Sequence, residues 1–334
     1  MRPVYLVVPH DVDDPELPSG GNVYDRRVID GLGGRTIAVP GAWPRPGETG
    51  RAALRRVLAA LPDGAAVLVD GLVAGGVPDV VVPQTRRLAL AVLVHLPLTD
   101  DLAAAERETL QAAHAVVATS AWTARRLRER YGVTATVAHP GVDPAPLARG
   151  TNGAGRLLCV GSISAVKGQD VLVDALARVQ DLPWTCTLVG PLRRDPDHVT
   201  LVRRAVAAHG LTGRVTLAGP RTGPDLDAAY ATADLLVLPS RVEAYGMVVT
   251  EALARGIPVL ATDAGGVVEA LGDGPGLLVP PGDPAALAAA LRRWFTEPAL
   301  RDDLRGAARA RRAALTGWEV TTRCLSQVLD RLSA

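Results

Sequence analysis

The sequence predicts an α/β protein: two doubly wound parallel sheets carried by consecutive halves of the chain. Three observations lead there. Short runs rich in Val and Leu alternate with longer amphipathic stretches, the rhythm of strands buried on both faces between helices. The rhythm stops across Pro140–Gly155 (PGVDPAPLARGTNGAG), a Pro- and Gly-rich stretch without apolar periodicity, and then resumes. A length of 334 residues suits two domains, each able to bury a core without a disulfide or metal staple.

In the first half, strands are expected at Val4–Val8, Thr36–Val39, Ala66–Val69, Leu88–His95, Ala115–Ala118 and Thr134–Ala138. Helices are expected between them, at Arg51–Leu61, Asp101–Ala113 and Ala121–Tyr131, with another opening in PSGGNVYDRRVIDGL (Pro18–Leu32). In the second half, strands are expected at Leu157–Gly161, Thr185–Gly190, Val215–Ala218, Leu235–Pro239 and Pro258–Ala261, and helices near Gln169–Val179, His198–His209, Leu226–Ala231 and Val248–Arg255. From Asp283 onward the chain reads as helix, broken at Pro298 and Gly317. Open parallel sheets bind ligands at the carboxyl ends of their strands, so the loops following these strands are where function is expected, in a cleft between the two sheets.

Composition narrows the function. Lys and Arg number 36 against 35 Asp and Glu, and the first half alone is also balanced. That excludes the electrostatics of most nucleic-acid binders, and 3% aromatic residues leave few platforms for base stacking. One lysine, Lys167, stands among those 36 basic residues. In a chain that uses arginine wherever a generic cation will do, a retained lysine invites a specific role or simple chance. Cys159, Cys186 and Cys324 are far apart and form no C-x2-C pair, which suits packed thiols in a reducing compartment. The N-terminal apolar run is too short for a signal peptide, and no apolar stretch approaches a membrane span. A cytoplasmic protein without membrane association is expected; the oligomeric state is left open. The basic stretch Ala124–Arg130 (ARRLRER) reads as a solvated helix face.

Three loop–helix junctions could carry chemistry. In SRVEAYGMVVTEALARGIPVLAT (Ser240–Thr262), a strand ends, Glu243 lies in a loop, and a helix opens near Gly246 with Glu251 inside it. The unpaired amides of Gly246, Met247 and Val248 suit a phosphate, and carboxylates beside such a site suit sugar or ribose hydroxyls. The plain alternative is that both glutamates merely favour a helix dipole. In LLCVGSISAVKGQD, Gly161 ends a strand and Lys167 places a compact charge at a helix start, phosphate-binding logic without a P-loop. In PSGGNVYDRR, Gly20 and Gly21 allow a backbone approach to a ligand beside another helix start, or are loop punctuation. His95 ends an N-terminal strand; His10 has a weaker claim of the same kind, and His114, His139, His198 and His209 read as structural. The doublets Asp11–Asp13, Asp195–Asp197 and Asp225–Asp227 offer too few converging ligands, so no metal site is expected.

Together, SGGNVY, VHLPL, VGSISAVKG and EAYGMVVTEALARGIPVLAT resemble the retaining GT-B glycosyltransferases of family 4 (glycosyl transferases group 1), in particular short actinobacterial-type members. The resemblance covers nearly the whole chain and is strongest from Arg156 to Asp283. It implies two Rossmann-like domains, residues 1–150 on the acceptor side and 151–316 binding a nucleotide sugar, with helix 317–334 crossing back to the N-domain. It implies that Lys167 contacts the diphosphate, Glu251 the ribose, Glu243 and His95 the donor sugar, and Gly20 and Gly21 the diphosphate side. Gly161, Ser162, Gly190, Tyr245, Gly246, Met247 and Val248 complete the implied donor set.

The implied reaction is retaining transfer from a nucleotide sugar, UDP-sugar favoured, to a small or natural-product acceptor, without metal or other cofactor. Lys167, Glu243 and His95 are the catalytic candidates. Same-face departure and attack fits better than a covalent intermediate, since no carboxylate is an evident nucleophile. Ser162 departs from the family pattern, in which many members carry arginine; Arg193, Arg221 and Arg241 are the candidate replacements. Two other readings stay open: a sugar-nucleotide epimerase or hydrolase of the same fold, and a non-catalytic sugar-nucleotide-binding protein.

Overall fold

In a computed structural model of the chain, which describes residues 4–151, 153–272, 274 and 276–333, the strands form two six-stranded sheets. The first contains β1 (Val4–Pro9), β2 (Arg35–Val39), β3 (Ala66–Asp70), β4 (Ala89–Val94), β5 (Ala115–Ala118) and β6 (Thr136–Val137), in the order β2-β1-β3-β4-β5-β6. The second contains β7 (Arg156–Val160), β8 (Thr185–Val189), β9 (Val215–Gly219), β10 (Leu235–Leu238), β11 (Val259–Thr262) and β12 (Gly276–Val279), in the order β12-β11-β10-β7-β8-β9. All pairings are parallel. The expected α/β class is therefore observed, and every expected strand forms with small shifts at its ends.

Burial explains why these segments are strands. In β10, Leu235 and Val237 join one core while Leu236 and Leu238 join the core on the opposite face. Side chains alternate across a strand, so a run of four apolar residues is stable only when both faces are covered. β12 was not expected. Gly276 and Leu277 are partly buried, Leu278 is exposed and only Val279 is buried, as suits an edge strand paired on one side with β11.

Each sheet has one place where successive connections turn to opposite sides. In the first sheet β1 lies between β2 and β3; in the second β7 lies between β8 and β10. Crevices at such switch points, beyond the carboxyl ends of the strands, are where α/β sheets bind ligands.

The chain divides into two compact units. One comprises residues Met1–Asp13, Gly20–Gly141 and Gly317–Ala334; the other comprises Asp14–Ser19 and Val142–Thr316. Among the described residues, the Pro/Gly stretch before β7 has no regular structure, and from Val142 onward it belongs to the second unit. Buried Asp234 accepts from Thr151 N (2.8 Å), Thr151 Oγ1 (2.6 Å) and Arg156 N (2.9 Å). In the first unit, the helix Trp318–Ser333 packs on the helix Gly20–Leu32. A Cβ added at Gly31 would lie 2.3 Å from Thr322 Oγ1, so the crossing requires glycine. Thr321 Oγ1 donates to His139 O at 2.6 Å and ties the same helix to the segment after β6. All three cysteines are free thiols; Cys159 and Cys186 are buried, and burial pushes the Cys159 thiol up to about 12. No helix among the described residues is long and apolar enough to cross a membrane.

Candidate active site

The second sheet gathers the phosphate-binding candidates around its switch point. Lys167 closes a short 3-10 turn after β7, and Glu243 lies in the loop after β10, strands that are direct neighbours. Lys167 Nζ donates to Glu243 Oε2 at 2.6 Å, across 76 residues of sequence. The same oxygen accepts from Ser240 Oγ at 3.1 Å. Glu243 is 9% exposed, whereas the Lys167 side chain keeps 28% of its surface open. A buried carboxylate with one strong cationic partner and one hydroxyl is well satisfied. Its other oxygen has no partner among the described residues, and the partly exposed Lys167 side chain can reach a ligand.

Close backbone packing shapes the loop carrying Lys167. At Gly190, which follows β8, φ is +153°, and an added Cβ would lie 2.0 Å from Gly161 O. The buried Gln169 amide accepts from Ser164 N (3.3 Å) and donates to Ser162 O (3.0 Å), which fixes the loop from beneath. The loop holding Glu243 is clamped too: Gly266 N donates to Glu243 O at 2.9 Å.

The helix after Glu243 runs Met247–Ala254, capped by Gly246 at φ +93° with no side-chain cap hydrogen bond. Its first amides are thus left for a ligand or solvent, the arrangement that favours anions. Glu251 lies on this helix, and Tyr230 Oη donates to its Oε2 at 2.7 Å. Arg255 stacks 4.7 Å from the Tyr230 ring centre and pairs with Asp227. Burial raises the Glu251 carboxyl above the usual range, with the Tyr230 hydrogen bond and the Arg255 charge only partly offsetting it. Tyr245 is buried in the apolar core beneath this helix and is also pushed up, to about 12, by burial.

The replacement-cation question resolves partly. Arg241 makes a two-pronged pair with Asp170, Nη1 to Oδ1 at 2.9 Å and Nη2 to Oδ2 at 2.6 Å, and also donates to Ala165 O at 2.6 Å. Its charge is neutralised, and it braces the Lys167 loop. The pair outweighs burial and holds the Asp170 carboxyl below the usual range. Arg193 and Arg221 follow β8 and β9 and make no ion pair with a described residue. Ser162 sits half-buried in the bend after Gly161.

In the first unit, His95 follows β4 and is not alone. Its Nε2 lies 2.9 Å from Asp25 Oδ1 and 3.5 Å from Asp70 Oδ2. Asp25 comes from the helix Gly20–Leu32 and Asp70 ends β3; both are almost fully buried. Asp70 also caps the helix Gly71–Gly75, accepting from Leu72 N at 2.6 Å. Tyr24 meets the His95 ring edge-on at 5.2 Å, and Trp318 meets Tyr24 edge-on at 5.7 Å. Gly21 lets the helix approach the ring: its added Cβ would stand 3.4 Å from His95 Cδ2. Gly20 opens the same helix. Burial, then the neighbouring Asp25 charge, pushes the Asp70 carboxyl up to about 7. Burial opposes a charged His95 ring, but Asp25 and Asp70 outweigh it and raise the pKa.

Asp25, Asp70 and His95 also place one ligand atom each within 4.8 Å of one another, a spacing that a cation could bridge. The acidic doublets serve elsewhere: Asp13 pairs with Arg26, Asp195 caps the helix Pro196–Ala208, and Asp227 pairs with Arg255. His10 is exposed. Sequence reasoning missed Asp25, Asp70, Ser240, Gln169 and Tyr230. Asp25 sits inside the PSGGNVYDRR motif already singled out, so that signal was present; the rest carried no local signature.

The model for glycosyl transferases group 1 matches residues 151–311, and that for glycosyltransferase family 4 matches residues 19–146. The D-inositol 3-phosphate glycosyltransferase of Kineococcus radiotolerans is 33% identical over 257 residues, covering 68% of this chain and 59% of that protein. The corresponding protein of Salinispora arenicola is 34% identical over 254 residues, covering 67% and 56%. The chain thus spans less than two thirds of the length of the curated relatives it matches. Among solved structures, sucrose-phosphate synthase from Thermosynechococcus elongatus matches at a TM-score of 0.82 with 23% identity, over 99% of both chains. Anabaena HepE in complex with UDP and glucose matches at 0.77 with 19% identity, over 99% of this chain and 100% of that one. With both halves matched by family models and the fold shared with these structures, the chain belongs to the group 1 glycosyltransferases of the GT-B fold.

Proposed function

We propose that this protein transfers a glycosyl group from a nucleoside-diphosphate sugar to a small polyol or natural-product acceptor, with retention at the anomeric carbon. The observation that carries the reading is the Lys167–Glu243 pair at the switch point of the second sheet, together with the uncapped start of the helix Met247–Ala254. Lys167 and the helix amides would neutralise the diphosphate as it leaves, which is where charge grows in the transition state. Metal is not required for that step in this reading. Glu251, oriented by Tyr230, would accept from ribose hydroxyls. Glu243 would accept from a sugar hydroxyl once Lys167 turns to the phosphate, and His95 is the candidate of the first unit for contact with the transferred sugar. Glu243 is already engaged by Lys167 and Ser240, which favours departure and attack on one face over a covalent glycosyl–enzyme.

UDP is the favoured nucleotide, in keeping with UDP and glucose bound by HepE of the same fold. The acceptor of the curated relatives is an inositol phosphate by name, and it heads the acceptor panel. The test is turnover of UDP-, GDP- and ADP-sugars against that panel, with NMR of the product anomer. Lys167→Ala is expected to lower kcat on the order of a hundred- to a thousand-fold, the usual cost of losing a transition-state charge contact. Near-native turnover in that variant, or an inverted product, contradicts the reading.

A further inference from the structure

The three buried groups around His95 do not balance as a simple ion pair. Two carboxylates face one ring nitrogen, Asp25 at 2.9 Å and Asp70 at 3.5 Å. Nε2 carries at most one hydrogen, and the shorter distance assigns it to Asp25. Asp70 Oδ1 is satisfied by Leu72 N, but its Oδ2 faces the cluster without that help. Asp25 and Asp70 also bring carboxylate oxygens within 4.8 Å of one another and of the ring nitrogen, and two buried carboxylates sharing one site do not both ionise readily.

We propose that Asp25 and Asp70 share one proton and act together as positioning residues for His95. They hold its ring with Nε2–H directed at Asp25 and leave Nδ1 as the ring atom presented to substrate. Asp25 is then the central acceptor, receiving from His95 Nε2–H on one side and from the Asp70 hydroxyl on the other. The rest of the pocket supports this arrangement. Tyr24 stays a protonated phenol, donated to Ala138 O at 2.9 Å and pushed well up by burial. Cys324, on the C-terminal helix, is likewise held above its usual range by burial and stays a thiol. Neither supplies a competing charge. The His95 backbone is fixed as well, its carbonyl accepting from Thr119 and Thr123 hydroxyls at 3.3 Å each. His95 Nδ1 has no hydrogen-bond partner among the described residues.

The role given to His95 in catalysis rests on the proposed glycosyl transfer, but the proton arrangement does not, and the two are tested separately. In 15N-labelled protein, ring 1H–15N spectra are followed from about pH 5 to about pH 9, with His95→Gln identifying the resonance. The neutral ring is expected to be protonated at Nε2, with a titration midpoint above that of an ordinary histidine. Asp25→Asn keeps a hydrogen-bond acceptor but removes the charge, and is expected to lower that midpoint by at least about one unit, a tenfold change. If Asp25→Asn does not fold, the native tautomer decides alone, with Asp70→Asn as the second variant. In that variant Nε2 is expected to stay protonated, because Asp25 remains. A neutral ring protonated at Nδ1, or an unmoved midpoint in Asp25→Asn, overturns the proposal. So does stoichiometric loss of the Nε2–H signal on adding Zn2+ alone, which would assign the three groups to a cation. Activity provides the final readout: both Asn variants are expected to move the pH profile of kcat/KM, which a purely structural role would leave in place.

Discussion

Replacing Asp70 with Asn should stabilise this protein above neutral pH while impairing it. An amide oxygen still accepts from Leu72 N and Val73 N, so the cap of the helix Gly71–Gly75 survives. What disappears is a buried charge that burial and Asp25 both resist. An acid whose folded pKa is raised costs stability once pH passes its unfolded value, and the cost grows until pH passes the folded value. For Asp70, moved from 3.8 to about 7, that window runs from about pH 4 to about pH 7. Between about pH 5 and about pH 8 the native protein should therefore lose roughly 3 kcal/mol, at ~1.4 kcal/mol per unit over about two units. The chain has two compact units, so amide exchange in β3 and β4 reads the one that holds Asp70. After correction for intrinsic exchange, native protection should fall about a hundred-fold more than that of Asp70→Asn over this range. The difference between variants at the two pH values cancels any fixed change in packing. Parallel pH dependences in the two proteins would refute the reasoning.

Two other substitutions probe the second unit. Tyr230→Phe removes the hydrogen bond that orients Glu251 and should raise the donor KM about ten-fold or more with little change in kcat, measured by steady-state kinetics. Gly190→Ala would drive a Cβ to 2.0 Å from Gly161 O and should cost about 3 kcal/mol or more, seen as a clear drop in Tm.

The fold was legible because both sheets are buried on two faces, which forces near-continuous apolar runs such as LLVL in β10 and AVLVD in β3. β12 escaped because an edge strand needs one covered face only, and its four residues sit in a Gly/Pro-rich stretch. In the candidate site, Lys167 and Glu243 were legible because loop–glycine–helix junctions leave a local pattern. Their direct pairing was not, since neighbouring strands bring together residues 76 apart in sequence. The His95 cluster shows the same limit: Asp25 is 70 residues from His95, and only the β1, β3, β4 neighbourhood joins them with Asp70. Arg241 was one of three candidate replacements for the arginine missing at Ser162, yet Asp170 and Ala165 take up its guanidinium.

The central claim is that Lys167 and its neighbours hold the diphosphate of a sugar nucleotide. Calorimetric titration of UDP, GDP and ADP into the native protein and Lys167→Ala tests it without requiring an acceptor. One nucleoside diphosphate should bind the native protein in a saturable, one-to-one manner, and Lys167→Ala should weaken it at least about ten-fold, as expected for losing a hydrogen bond to a charged group. Equal affinity in the two proteins, or no binding of any of the three to the native chain, would contradict it.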